Sequence, residues 1–285
     1  TAQDPLYARL SKVLPAQVVY QMTRVRNTNL QKFIYKFSRE QPGLMRRLLL
    51  AAVKRQVGDK VDMKHFTPTY KPWDQRLCAV PNGDLFKSLR SGKSSVVTDQ
   101  IERFTENGIQ LKSGEFLPAD IIVTATGLKI QMVGGAQVSV DSKPVDISEH
   151  VTYKSVMLEG VPNAAIVFGY TNSSWTLKAD LASAYVCRLL NYMDQHQFTT
   201  VVAKDFEQVK TADTVLGSSM SSGYIQRALK DLPKQGSKGP WKVTNDYMTD
   251  KPMLSKGPIA DDYLTFGKAT PISQAKPKKP LAEVA

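Results

Sequence analysis

The order of apolar and polar positions divides the chain into a helical opening and a strand-rich remainder. Val18, Met22, Val25, Phe33 and Phe37 recur near the helical period, with Val19, Leu30 and Ile34 beside them. Pro15 suits the first turn of that helix, and Pro42-Gly43 breaks it. A second helix is predicted after the break. Leu44, Leu48, Leu49, Ala52 and Val53 form its apolar stripe, and Gly58 is a natural stop. Arg46, Arg47, Lys54 and Arg55 lie mostly off that stripe. Both stripes suggest a packed helical subdomain.

Beyond this point the punctuation changes. Pro68, Pro72 and Pro81 preclude a long helix and leave Trp73-Asp74-Gln75-Arg76 in an irregular stretch. A short helix is predicted from Asp84 to Leu89. The period then becomes that of strands: 96–97, 101–104 and 109–111 read as short β runs, with turns at Asn107-Gly108 and Ser113-Gly114. Ile121, Ile122 and Val123 predict a buried strand ending in Ala125-Thr126-Gly127. Residues 138–140 and 145–147 suggest a hairpin. Pro162-Asn163 turns the chain into an apolar strand at 164–168, followed by a polar loop at 169–174. A helix from about Trp175 to Met193 follows, with Leu177, Leu181, Ala184, Tyr185, Leu189 and Met193 largely on one side. Residues 269–285, rich in Pro, Lys and Ala, are expected to be a disordered tail.

Composition narrows the class. The chain has 285 residues, 42% apolar and 22% charged, an ordinary globular balance with room for one large domain or two small ones. Cys78 and Cys187 are too few for a disulfide scaffold and form no CxxC pair for zinc. The longest apolar run, 48–53, is far too short to span a bilayer. The net charge is +12, unevenly placed. Residues 1–58 carry eleven Lys/Arg against two acids, a net of +9; residues 59–229 come to −1 and 230–285 to +4. A basic end draws anions, whether phosphorylated cofactor, nucleic acid or acidic lipid heads, or it is simply a solvated helix face.

Several common sites are absent. There is no GxSxG, no HExxH and no GxGxxG, and His65, His150 and His196 are too scattered for a local metal motif. Three places carry candidate chemistry. Thr126 and Gly127 fall at the carboxyl end of the predicted buried strand, where ligands of open α/β sheets bind, and Gly127 permits close approach. The loop Gly169, Tyr170, Thr171, Asn172, Ser173, Ser174 puts backbone N–H groups at a helix N-terminus, which suits a flavin edge that becomes negative on reduction. Ser173 or Ser174 could equally be the helix cap. Arg76, next to Trp73 and Cys78, could neutralise a phosphate or an oxyanion, or pair with Asp74 or Asp84.

The run 65–86, which contains Trp73-Asp74-Gln75-Arg76, resembles flavoprotein monooxygenases of the Baeyer–Villiger type, the mycobacterial ethionamide-activating group in particular. The likeness continues through 119–128 with Ala125-Thr126-Gly127, through 169–181 and through 231–237, and covers most of the chain to about residue 268. Such enzymes begin with an FAD-binding GxGxxG, a fingerprint with His and Trp, and a second GxGxxG for NADPH. None of these is in this sequence, which neither opens on Met nor carries a signal peptide. The resemblance therefore implies the C-terminal portion of such an enzyme.

The implied fold class is α/β: the C-terminal parts of two Rossmann-like dinucleotide-binding domains with a helical insertion. Residues 1–74 would be the insertion in the NADPH domain, 75–127 the end of that domain, and 128–268 the end of the FAD domain. The implied cofactors are FAD and NADPH. Arg76 matches the arginine such enzymes place over the flavin, where it would steady NADPH and then the negative charge that develops there. Thr126, Gly127, Gly169, Thr171, Asn172, Ser173 and Ser174 would touch the cofactors. The implied partners are O2 and a small ketone, thioether or thioamide. No nucleic acid is expected, and the protein is placed in the cytoplasm with peripheral membrane contact through residues 1–58. The rivals are a truncated, inactive relative and a basic module for nucleic acid or membrane.

Overall fold

The structure is a computed structural model that describes residues 4–78, 80–216 and 220–268. Its helices are α1 (Pro5–Leu10), α2 (Ala16–Glu40), α3 (Pro42–Val57), α4 (Asp84–Arg90), α5 (Trp175–Gln195), α6 (Gly223–Ala228) and α7 (Tyr247–Ser255). Its strands begin with β1 (Ile101–Thr105), β2 (Gly108–Leu111), β3 (Phe116–Pro118), β4 (Ser139–Val140) and β5 (Lys143–Pro144). β6 (Thr152–Tyr153), β7 (Met157–Leu158), β8 (Thr200–Ala203), β9 (Lys210–Thr214), β10 (Lys234–Gly236) and β11 (Leu264–Gly267) complete them. The chain is thus mixed α/β, and among the described residues its strand pairs form small antiparallel sheets. It divides into two compact units. One holds residues to 131 with 170–174 and 216–230; the other holds 132–169, 175–215 and 231 onward.

In the first unit, Asp4 caps α1 by accepting from the Leu6 and Tyr7 N–H groups, and it also pairs with Arg26 of α2. Pro15 stands at the N-cap of α2, and Gln41 separates α2 from Pro42 at the first turn of α3. The helices follow the sequence pattern; their burial does not. The expected apolar stripe of α2 faces solvent, with Val18 47%, Met22 51%, Val25 59% and Phe33 64% exposed. Val19, Thr23 and Ser38 are buried instead. The packed helical subdomain is therefore corrected: periodicity gives the helix, but burial needs a covering element, and none among the described residues covers this face. β1, β2 and β3 form a meander, with Gly108 at φ +150 where a Cβ would sit 2.1 Å from the Leu117 carbonyl.

Two strand expectations fail in this half of the chain. Residues 96–97 are irregular, and Ile121, Ile122 and Val123 form no strand; Ile121 and Val123 are each 83% exposed. An apolar β-branched run reads as a buried strand, but a strand needs neighbours to take its N–H and C=O groups. The described residues supply none to this segment.

The second unit holds the larger core. Leu177, Leu181, Tyr185, Leu189 and Met193 recur every four residues along α5 and are all buried; Ala184 is exposed and Ala182 takes the buried place. Leu181, Ala182, Tyr185, Leu189 and Met193 meet Tyr153, Val156, Met157, Val201, Ala203, Trp241, Leu254 and Leu264 in one cluster. Each such side chain contributes roughly 1.5–3 kcal/mol by leaving water. β8 pairs with β11, β9 with β10, and the β6–β7 hairpin turns through Lys154 and Ser155 at φ 52 and 53. The β4–β5 hairpin lies at 139–144, with its second strand earlier than the predicted 145–147, because Asp141 and Ser142 take the positive-φ turn positions. Residues 164–168 form no strand; only Ala165 bridges, to Met157. The tail at 269–285 lies outside the described residues.

Burial sets the ionisation of this core. Lys178 on α5 lies 2.6 Å from Asp250 on α7, both buried, and desolvation holds the ammonium below its ordinary range. Lys154 is likewise lowered by burial while pairing with Asp261 at 3.0 Å. Burial raises the Tyr153 phenol and pushes that of Tyr185 up to about 12. A raised folded-state value stabilises the fold fully below pH 10.0, the unfolded value, and that contribution fades as pH rises toward about 12. Denaturation midpoints measured from pH 9 upward should therefore fall across this window. Tyr185→Phe should lessen the fall, with the remainder left to Tyr153, whose phenol burial also raises. An unchanged pH slope in the variant would rule out Tyr185 as its source.

Candidate active site

Arg76 is held where three segments of the first unit meet. Lys71 and Asp74 form a tight turn, with Asp74 accepting from the Lys71 N–H at 3.2 Å. The Asp74 carbonyl accepts from the Ser221 N–H and hydroxyl at 2.8 and 2.9 Å. The Arg76 N–H donates to Ser222 Oγ at 3.4 Å, and its guanidinium donates to the Thr171 carbonyl. Trp73, strained at φ 69, stacks under that guanidinium at 5.9 Å and meets Tyr35 edge-on at 5.3 Å.

The ion pairs open to Arg76 on the sequence go elsewhere. Asp74 pairs with Arg39 at 2.8 Å and Asp84 with Lys87 at 3.3 Å. Among the described residues no carboxylate pairs with Arg76. Its charge is not neutralised, and it remains exposed.

Arg76 stands on the wall of a cleft of about 720 Å³. α3 contributes Arg46, Leu49, Leu50, Val53 and Gln56 to it; Phe66, Tyr70, Trp73, Leu77 and Phe86 close the rest. Arg46 donates to the Tyr70 carbonyl at 3.1 Å, which ties α3 to the opposite wall. The Trp73 indole N–H is buried with no acceptor among the described residues. An apolar cleft with one unneutralised guanidinium and one orphaned N–H suits a mostly hydrocarbon molecule carrying an oxygen acceptor. Trp73 was missed as a site residue: its presence beside Arg76 was legible, but the positive φ that aims its ring was not.

The other predicted residues are placed as follows. Thr126 and Gly127 lie in an exposed, irregular segment, with Gly127 at φ +103 and open space where a Cβ would point, apart from Arg227 at 3.9 Å. Arg227 donates to the Leu128 carbonyl at 3.3 Å. Thr171, Asn172, Ser173 and Ser174 are half-buried, and Ser173 Oγ donates to Gln31 at 3.2 Å. Gly169 meets the Trp175 ring so closely that a Cβ would lie 1.9 Å from it; the indole fills the place of a side chain. Arg76 and Thr171 are therefore brought together. No hydrogen bond or ion pair joins the described Thr126 or Gly127 to them. Among the described residues, no cluster of His, Cys, Asp and Glu could hold a metal.

Sequence comparison gives the class. The chain is a homologue of FAD-containing monooxygenases, and it spans about half the length of the curated relatives it matches. It is 51% identical over 278 residues to a probable FAD-binding monooxygenase, AlmA, of Acinetobacter baylyi, covering 98% of this chain and 56% of that protein. It is 50% identical over 268 residues to a putative FAD-containing monooxygenase, MymA, of Mycobacterium tuberculosis (94% and 54%). It is 47% identical over 271 residues to the FAD-containing monooxygenase EthA of the same organism (93% and 54%). No protein-family model matches the chain.

Proposed function

We propose that this chain is the C-terminal portion of an FAD- and NADPH-dependent monooxygenase of the Baeyer–Villiger type. It would help insert one oxygen of O2 beside a ketone carbonyl or onto sulfur or nitrogen. The observation that carries the reading is 47–51% identity over 93–98% of the chain to proteins named for FAD and monooxygenation. The reaction balances as substrate, O2, NADPH and a proton giving oxygenated substrate, NADP and water. The flavin, when bound, supplies the activation of O2.

The chain's own residues supply charge, shape and dryness. The Arg76 guanidinium offers fixed donors to negative charge that develops beside it. The apolar walls from α3, Phe66 and Phe86 exclude water and hold the hydrocarbon of the substrate, while the Trp73 N–H awaits its oxygen. Gly127 lets backbone approach the cofactor closely, with Thr126 beside it. Gly169, Thr171, Asn172, Ser173 and Ser174 would present N–H and hydroxyl groups at the start of α5. Residues 1–74 are read as a helical insertion, 75–127 as the end of an NADPH domain and 128–268 as the end of an FAD domain. Exposed Ile121 and Val123 fit this: the strands that would flank them belong to the part of the relatives that this chain does not span.

The test is reconstitution. The chain alone should emerge from desalting without flavin absorbance. Joined to the remaining half of a relative such as AlmA, it should hold one FAD per chain and couple NADPH oxidation to product. Stoichiometric flavin on the chain alone, or a flavin-free fusion that is folded, would overturn the reading.

A further inference from the structure

We propose that the outer faces of α2 and α3 form a docking surface for an anionic lipid bilayer. α3 has two unlike faces. Arg46, Leu49, Val53 and Gln56, spaced three and four apart, line the cleft. Leu44, Leu48, Ala51 and Arg55, with the same spacing, lie on the opposite face and are exposed, Leu44 by 48% and Leu48 by 53%. Arg47 and Lys54, the latter paired with Asp59 at 2.8 Å, run along one side of this outer stripe, and Arg55 lies within it. α2 carries a second exposed stripe of Val18, Met22, Val25 and Phe33; Lys32 borders it, and Lys36, paired with Glu40 at 3.7 Å, lies within it.

A water-facing helix does not ordinarily carry such stripes on two successive helices, and apolar surface of this kind marks an interaction site. Charge decides which partner it fits. Residues 1–58 hold a net of +9, while the following 171 residues come to −1, so the cations are concentrated where the apolar stripes are. An apolar stripe edged and interrupted by Lys and Arg matches the surface of an anionic membrane. The apolar side chains enter the boundary of the acyl chains and the cations reach the phosphates. No helix among the described residues is long and apolar enough to cross a membrane, so the contact is peripheral. This proposal does not rest on the flavin reading; either can fail alone.

The test is flotation of the full chain with vesicles of phosphatidylcholine alone or with 30% phosphatidylglycerol, taken as about one lipid in three. The chain should float with the anionic vesicles only and be released by salt. Each cation at an anionic surface contributes roughly fivefold, so Arg47→Gln with Arg55→Gln should weaken partitioning about 25-fold. Leu44→Gln with Leu48→Gln should weaken it at least about tenfold. Lys204→Gln with Lys242→Gln, on the second unit, should change it less than about twofold, and circular dichroism should show all variants folded. Equal flotation with neutral vesicles, or none, would overturn the proposal. So would charge variants that float like the parent, or release by the missing half of a relative added in trans. Self-association lost in the Leu44/Leu48 variant, with flotation unchanged, would assign the face to a second copy instead.

Discussion

Substituting Arg76 by alanine, in a polypeptide that joins this chain to the missing half of its relatives, should reduce oxygenated product by on the order of 10²-fold or more. The argument is electrostatic. Arg76 is a permanent cation that no carboxylate among the described residues neutralises, fixed by the Thr171 carbonyl and the Trp73 ring. Removing such a charge from beside developing negative charge raises the barrier without removing the substrate's apolar contacts. FAD should stay bound, because the glycine motifs that the resemblance implies for the cofactor are not in this sequence. Arg76→Lys should restore only part of the rate, since an ammonium cannot both bond the carbonyl and stack as a plane. The measurement is product formed per NADPH oxidised. Wild-type rate and coupling in Arg76→Ala would reduce the residue to a strap between Thr171 and the turn at Trp73.

The second large effect concerns stability. Lys178→Met takes from the buried Asp250 the ammonium 2.6 Å away and leaves an uncompensated carboxylate in the core, beside the Thr244 hydroxyl at 2.7 Å. Breaking a buried pair from one side costs roughly 3–5 kcal/mol, a large part of the 5–15 kcal/mol that holds a typical domain. The denaturation midpoint of the second unit should fall accordingly. Replacing both partners, Lys178→Met with Asp250→Leu, should recover most of the loss, because two apolar groups then meet. A single variant within about 1 kcal/mol of the parent would mean that water reaches the pair.

What could be read from the sequence was what local chemistry determines. Pro15 and Pro42 bracket α2, and the four-residue recurrence from Leu177 to Met193 gives α5. The predicted hairpin joins β1 to β2, its turn falling at Glu106-Asn107, one residue before the expected Asn107-Gly108. What could not be read depends on distant partners. Lys178 and Asp250 are 72 residues apart, and neither position has a local pattern that points to the other. Ile121, Ile122 and Val123 look like a buried strand because burial on both faces selects such residues, yet no strand among the described residues pairs with them. The same limit misplaced the α2 stripe, where period was legible and the covering partner was not. At the site, Arg76 and the loop holding Thr171 were both picked out, but only folding shows that they touch.

The three tryptophans occupy three unlike environments, which makes the protein its own optical probe. Trp241 is buried at 1% exposure beside Tyr153 and Tyr263, so its emission follows the integrity of the second unit. Trp175 is 53% exposed and open to a dissolved quencher. Trp73 lines the cleft with an unpaired N–H, so a ligand oxygen bonding there would shift its fluorescence toward the red, while a hydrocarbon alone would shift it toward the blue. With Trp175 and Trp241 replaced by phenylalanine, the remaining emission would report which end of a bound molecule faces the indole.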